Sequence, residues 1–425
     1  MLELSNLLLL LIELIRRRTI INNIMNIRSA YLLILLIASG IFMLGSCKKL
    51  LPATPANDQL LDGPVDGLSF EQQQQFLKGD KAFNEQVFTT VTGLGPVFVA
   101  NSCGSCHAGD GKGHPSTTLT RFGQTDSSGN SFLHLGGPQL QNRAIPGFDP
   151  EVIPAGASFS KFTPPANTGL GFLELVSDQD ILALSDPNDA NGDGISGVPN
   201  WITLPSYIIL QTNAISQGGR YICRFGKKGA AYNLLNQTVN AYNQDMGITS
   251  LYSPFDVYSG LETDPEISTK DLNAVVFYLQ TLKAPVQRTP NDPEVLSGKQ
   301  LFSQIGCENC HTQTLKTGYS LVTPLSNKEF HPYTDLLLHD MGPGLDDGYT
   351  EGNAKTYEWR TPPLWGIGLS PASQGGSYFL LHDGRAKSIE EAIVLHGGEA
   401  TNSTNQFQSL STSDKKSLIK FLSSL

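Results

Sequence analysis

Cys103-Gly104-Ser105-Cys106-His107 and Cys307-Glu308-Asn309-Cys310-His311 are the two stretches that decide how this chain is read. Both are Cys-x-x-Cys-His. On a helical turn, positions i, i+3 and i+4 share a face, so two thiols can bond the two vinyl groups of one haem while the histidine ligates its iron. The rival reading makes a zinc knuckle of the two Cys-x-x-Cys pairs. The trailing histidine on each pair argues against it. The spacing therefore predicts two covalently bound haem c groups, held by Cys103, Cys106, Cys307 and Cys310, with His107 and His311 on the irons.

The motifs sit inside a repeat. Leu77-x-Gly79-x-x-x-Phe83 leads into Cys103, and Leu296-x-Gly298-x-x-x-Phe302 leads into Cys307. At the other end, Ser268-Thr269-x-Asp271 opens a helix closing in Tyr278-Leu279-Gln280-Thr281-Leu282, and Ser411-Thr412-x-Asp414 opens one closing in Phe421-Leu422-Ser423-Ser424-Leu425. Helix, cysteine cluster and closing helix recur in one order, which predicts a mainly α fold of two cytochrome c-type helical domains in tandem. We place them at residues 67–288 and 289–425. The first carries a large insertion, because residues 115–265 are rich in Gly, Pro, Asn and Asp and read as irregular structure with a few short strands.

The chain has 425 residues, six cysteines and a formal charge of -10. Six cysteines are too few for a disulfide scaffold at this length, and an acidic chain is a poor nucleic-acid partner. From Met25 the pattern runs through Arg28, an apolar stretch Tyr31 to Leu44, then Leu44-Gly45-Ser46-Cys47. It resembles a bacterial lipoprotein signal, so residues 1–46 are expected to be a signal peptide, Cys47 to carry lipid and residues 47–66 to be a flexible tether. That places the protein in the periplasm or cell envelope, anchored to a bacterial membrane. Cys223, left over, reads as a buried small hydrophobe or, less simply, a thiol activated by Arg224.

Among the remaining histidines, His396 is the candidate second ligand at the C-terminal haem. Ser388-Ile389-Glu390-Glu391 is a capping box, and the helix it starts should stop at Gly397-Gly398. Ile389, Ala392, Ile393 and His396 then share its apolar face. A hydrogen-bonded core histidine is the alternative, and Met341 is a rival ligand. For the first haem, His114 is too close in sequence to His107 to reach the opposite face, and His134 is the other option. Asp186-Pro187-Asn188-Asp189-Ala190-Asn191-Gly192-Asp193-Gly194-Ile195-Ser196 contains D-x-N-x-D-G. Asp189, Asn191, Asp193 and the Ile195 carbonyl would converge on a Ca²⁺ ion, although Asn200 stands where an EF-hand has glutamate. The alternative is a solvated turn. Trp201, just after the loop, is a packed aromatic or a relay between haems.

Four further stretches carry a resemblance: Gln139-Leu140-Gln141-Asn142-Arg143-Ala144-Ile145-Pro146-Gly147, Gly169-Leu170-Gly171-Phe172-Leu173-Glu174, His339-Asp340-Met341-Gly342-Pro343-Gly344 and His396-Gly397-Gly398-Glu399-Ala400. With Trp359-Arg360-Thr361-Pro362-Pro363-Leu364 and Tyr378-Phe379-Leu380-Leu381-His382-Asp383-Gly384-Arg385, they make the chain similar to the diheme oxidoreductases, also called thiol oxidoreductases. These are related to bacterial diheme cytochrome c peroxidases. The resemblance implies a peroxide-reducing enzyme with Glu174 as acid/base, a structural carboxylate being the alternative, and a calcium ion between domains. In those peroxidases a methionine ligates the C-terminal haem at the position of His396, fourteen residues past His382. Bis-His ligation should give a lower potential than Met/His.

The expected function is electron transfer from the C-terminal to the N-terminal haem for reduction of hydrogen peroxide or a similar small oxidant. An electron-donor protein or small cytochrome would be the partner. The alternatives are a pure electron-transfer cytochrome and a diheme enzyme that oxidises a partner protein.

Overall fold

The computed structural model describes residues 13, 16, 17, 61–123, 132 and 135–425. Cys47, nearly all of the expected signal segment, most of the tether and His134 lie outside the described residues. Asn57–Leu425 form one compact unit. No helix among the described residues is long and apolar enough to cross a membrane.

In chain order the helices of this unit are α1 (Phe70–Asn84), α2 (Leu170–Glu174), α3 (Asp178–Leu184), α4 (Leu234–Asn240), α5 (Thr269–Thr281), α6 (Pro293–Gln304), α7 (Ser370–Ser373), α8 (Ile389–Val394), α9 (Thr401–Ser409) and α10 (Thr412–Ser424). The repeat seen in the sequence is visible in how they pack. α1 lies against α5, and α6 against α10. Their starts are set by side-chain caps: Ser69 and Gln72 form a reciprocal box. Ser268 and Ser411 accept from Asp271 N and Asp414 N at 3.1 and 3.2 Å. Asp292 caps α6, whose first residue is Pro293, where proline's missing N–H costs nothing.

Each pair crosses at the repeat's glycine. A Cβ on Gly79 would fall 2.1 Å from the Ala274 carbonyl oxygen, and one on Gly298 would fall 2.0 Å from that of Ser417. No side chain fits there, so the backbones touch and the phenylalanine one turn on is driven inward. Phe83 packs 5.5 Å from Tyr278 and 6.0 Å from His107. Phe302 packs 5.4 Å from Phe421 and 6.4 Å from His311. Burying each ring contributes about 2 kcal/mol, and it also props the histidine beside it.

The mainly α expectation holds in part: the fold is mixed, helix pairs accompanied by small sheets. Between the helix pairs run short antiparallel strands, forming four two-stranded sheets and one three-stranded sheet among the described residues. Leu119–Phe122 pairs with Phe159–Phe162, and Asn200–Ile202 with Arg220–Cys223. These occupy the insertion, anticipated as irregular structure with a few short strands. Leu338–Asp340 pairs with Glu358–Arg360. Such sheets escape a helix-period reading because each strand is only two to four residues long. The larger core also takes in Leu315, Phe330, Leu336, Leu337 and Trp365 from the C-terminal half, while a second core gathers around Phe302, Phe407 and Phe421.

Candidate functional site

Each Cys-x-x-Cys-His forms a single helical turn, with His107 N donating to Cys103 O and His311 N to Cys307 O, both at 3.0 Å. Gly306, in the left-handed region at φ 80°, ends α6 and opens the second turn. The imidazoles are then fixed by backbone carbonyls: His107 Nδ1 lies 3.0 Å from Pro165 O and His311 Nδ1 3.0 Å from Tyr333 O. A ring nitrogen facing a carbonyl must carry the proton, which leaves Nε2 bare for a metal. Burial pushes both histidines down to about 4, so they are neutral at physiological pH. The Cys103 and Cys307 thiols are pushed up to about 12, chiefly by burial. No group of three or more His, Cys, Asp or Glu suited to a metal ion occurs among the described residues.

Both trios open into one continuous cavity of about 480 Å³. Its walls include Phe83, Leu279, Phe302, Leu380 and Ile389, and His396 lines it as well. Four buried polar atoms of residues on this wall, Asn167 Nδ2, Arg224 Nε, Thr238 Oγ1 and the Tyr242 hydroxyl, have no partner. Apolar walls, three bare imidazole nitrogens, four free thiols and orphaned donors fit two haem groups.

His396 is held as the other two are, with Nδ1 2.6 Å from Ala392 O. Burial lowers its pKa, and its presence in turn lowers that of His311. The helix carrying it is shorter than expected: α8 ends at Val394, and His396 follows in a turn where Thr404 Oγ1 donates to its carbonyl at 3.0 Å. Met341 also lines the cavity but packs with Phe162, Leu345, Tyr349 and Trp359. His114 caps the turn at Pro115 through Ser116 N and packs on Phe379. His339, from the same stretch as Met341, is clamped between Asp335 and Glu399 at 2.7 Å each, and both hold it well above the usual histidine range. Cys310 Sγ lies 3.6 Å from it, and with both ring nitrogens on carboxylates neither faces iron.

One expectation requires correction. Glu174 does not line the cavity: its carboxylate accepts from Leu234 N and Gln280 Nε2, both at 2.7 Å, so it caps α4 and ties it to α5. Burial raises its pKa, as anticipated, but at a structural joint. Of the two readings of Trp201 the packed aromatic holds: it pairs within a sheet, lies against the larger core and does not line the cavity. A tryptophan that does line it is Trp359, stacked on His382 at 3.7 Å with Lys228 Nζ 3.8 Å from its ring. In the Asp186–Ser196 loop, Asp186, Asp189, Asn191 and Asp193 accept from the loop's own amides, as in Asx turns. Cys223 is the buried hydrophobe, its thiol raised to about 12.

Sequence reasoning missed Asp245. It ends a π-helical turn, Ala241–Asp245, a form enriched at functional sites. Its carboxylate lines the cavity near Cys103 and Cys106, and burial against the pull of Arg121 raises its pKa to about 7. Nothing local in Tyr242-Asn243-Gln244-Asp245 signals this.

The family described as "Di-haem oxidoreductase, putative peroxidase" matches residues 161–425. The chain belongs to this family. It is therefore an oxidoreductase of the diheme peroxidase type, and membership implies two haem groups, in agreement with the two trios. No curated protein matches it. Among solved structures it is similar to the hydrazine synthase of Kuenenia stuttgartiensis, at 14% identity and TM-score 0.39 over 88% of this chain and 95% of that one. It is also similar to the diheme peroxidase BthA of Burkholderia thailandensis, at 15% identity and TM-score 0.38 over 88% and 89%.

Proposed function

We propose that this diheme oxidoreductase binds its haems covalently and reduces hydrogen peroxide or a similar small oxidant. Electrons would come from a donor protein or small cytochrome and pass through the C-terminal site to the N-terminal one. Haem, when bound, supplies electron transfer and an iron at which a small oxidant is held. The observation that carries this reading is an asymmetry between the two sites. His311 is matched by His396, both with Nε2 bare. Among the described residues His107 has no such counterpart: His114 is used as a cap, and His382 lies flat on Trp359.

Asp245 then takes the acid/base part first expected of Glu174. With a pKa near 7 it is part protonated at neutral pH and can both give and take a proton. Reduction of one peroxide to two waters consumes two electrons and two protons. Fully reduced protein mixed with one equivalent of hydrogen peroxide should therefore be oxidised at both sites. Asp245→Asn should slow this about 100-fold, while Glu174→Gln leaves the rate unchanged. A reduced protein that survives peroxide contradicts the reading. Lipid attachment at Cys47 and a structural Ca²⁺ held by Asp189, Asn191, Asp193 and the Ile195 carbonyl complete the proposal. A melting temperature unmoved by calcium or chelator contradicts the latter.

A further inference from the structure

Five cationic side chains line the cavity among the described residues: Lys112, Arg121, Arg224, Lys227 and Arg360. Two are neutralised. Arg121 pairs with Glu351 at 2.5 Å, and Arg224 with Asp178. The other three have no carboxylate within ion-pair distance among the described residues. Lys112 Nζ donates only to Leu381 O at 3.4 Å, and Lys227 Nζ only to Thr163 Oγ1 at 3.5 Å. Arg360 donates Nε to Gly226 O and Nη1 to Thr361 O, at 2.9 and 3.0 Å. The carboxylates that act on them are engaged elsewhere: Asp383 with Arg385 at 2.8 Å, and Asp335 with His339 at 2.7 Å.

These three cations come from remote parts of the chain yet feel one another. Burial, then Lys112 and Arg360, force Lys227 well below the usual lysine range. Like charges crowded into a partly desolvated cavity repel strongly and persist only if an anion lies among them. Asn167 Nδ2, unpartnered on the same wall, is a neutral donor of the kind a carboxylate accepts from. The cluster also spans both sites. Lys227 acts on His107, Lys112 follows the first Cys-x-x-Cys-His by five residues, and Arg360 is influenced by Asp335 of the C-terminal half.

We infer that Lys112, Lys227 and Arg360 form a shared clamp for the propionate carboxylates of both haems, with Lys227 at its centre acting as a positioning residue that sets the two potentials together. A fixed positive charge disfavours the more positive ferric state and so raises the reduction potential. This rests on the diheme reading, and the test separates the two claims. Haem is counted first, by pyridine haemochrome on purified wild-type holoprotein. Fewer than two haems per chain contradicts the diheme reading itself. Given two, spectroelectrochemical titration of Lys227→Met should show both midpoint potentials shifted downward. Lys227→Arg, which keeps the charge, should restore them. Lys112→Gln provides a second, milder removal of charge should Lys227→Met fail to accumulate, and it should shift at least one midpoint in the same direction. Potentials unchanged in a two-haem charge-removal variant, or shifted equally by Lys227→Arg and Lys227→Met, overturn the clamp.

Discussion

Gly298→Ala is expected to destabilise the protein by about 3 kcal/mol. In an exposed helix the same change gains about 0.5–1 kcal/mol. The sign reverses because the new Cβ would lie 2.0 Å from the Ser417 carbonyl oxygen and 2.7 Å from Phe421 Cβ. The obstacle is backbone and cannot rotate away, so α6 and α10 must separate. Phe302 then loses its seat between Phe421, Tyr333 and His311. The damage should reach haem ligation as well as melting temperature. Gly344→Ala is the control, since an added Cβ there meets nothing within 4 Å. Equal melting temperatures for the two variants would contradict the packing argument.

His396→Ala should convert the C-terminal haem from low-spin to high-spin, removing nearly all the low-spin signal of the oxidised protein. Geometry dictates this outcome. The His396 ring is oriented by Ala392 O, it influences His311 electrostatically, and both rings present Nε2 to the cavity. Added imidazole should restore the signal, because the space left by the ring accepts the free ligand. A low-spin spectrum that persists in His396→Ala and is lost in Met341→Ala would transfer the role to Met341.

The two haem-site turns were legible because they are local. Cys-x-x-Cys-His places three groups on one turn whatever surrounds it, and the caps at Ser268 and Ser411 mark helix starts at the residues that follow them. The glycine–phenylalanine repeat was legible for the same reason, although its purpose, a backbone crossing that props a histidine, emerges only when the helices meet. The parts that sequence could not show are assembled over long separations. Lys112, Lys227 and Arg360 converge from three distant segments, and Asp245 gains its raised pKa from burial that no neighbour in sequence reports. Glu174 shows the opposite failure. Its motif pointed correctly to a buried carboxylate, but tertiary contacts assign it to the start of α4. The packed-aromatic reading of Trp201 holds, since it joins a strand against the larger core, while the role of Trp359 beside His382 had no local signal.

Unequal ligation of two haems in one cavity is tested most directly by the electron paramagnetic resonance spectrum of the fully oxidised wild-type protein. One low-spin bis-histidine species and one high-spin species should appear in equal amounts, the latter altered by small anionic ligands such as azide. Two low-spin species indifferent to such ligands would contradict unequal ligation, and with it the proposed peroxide chemistry.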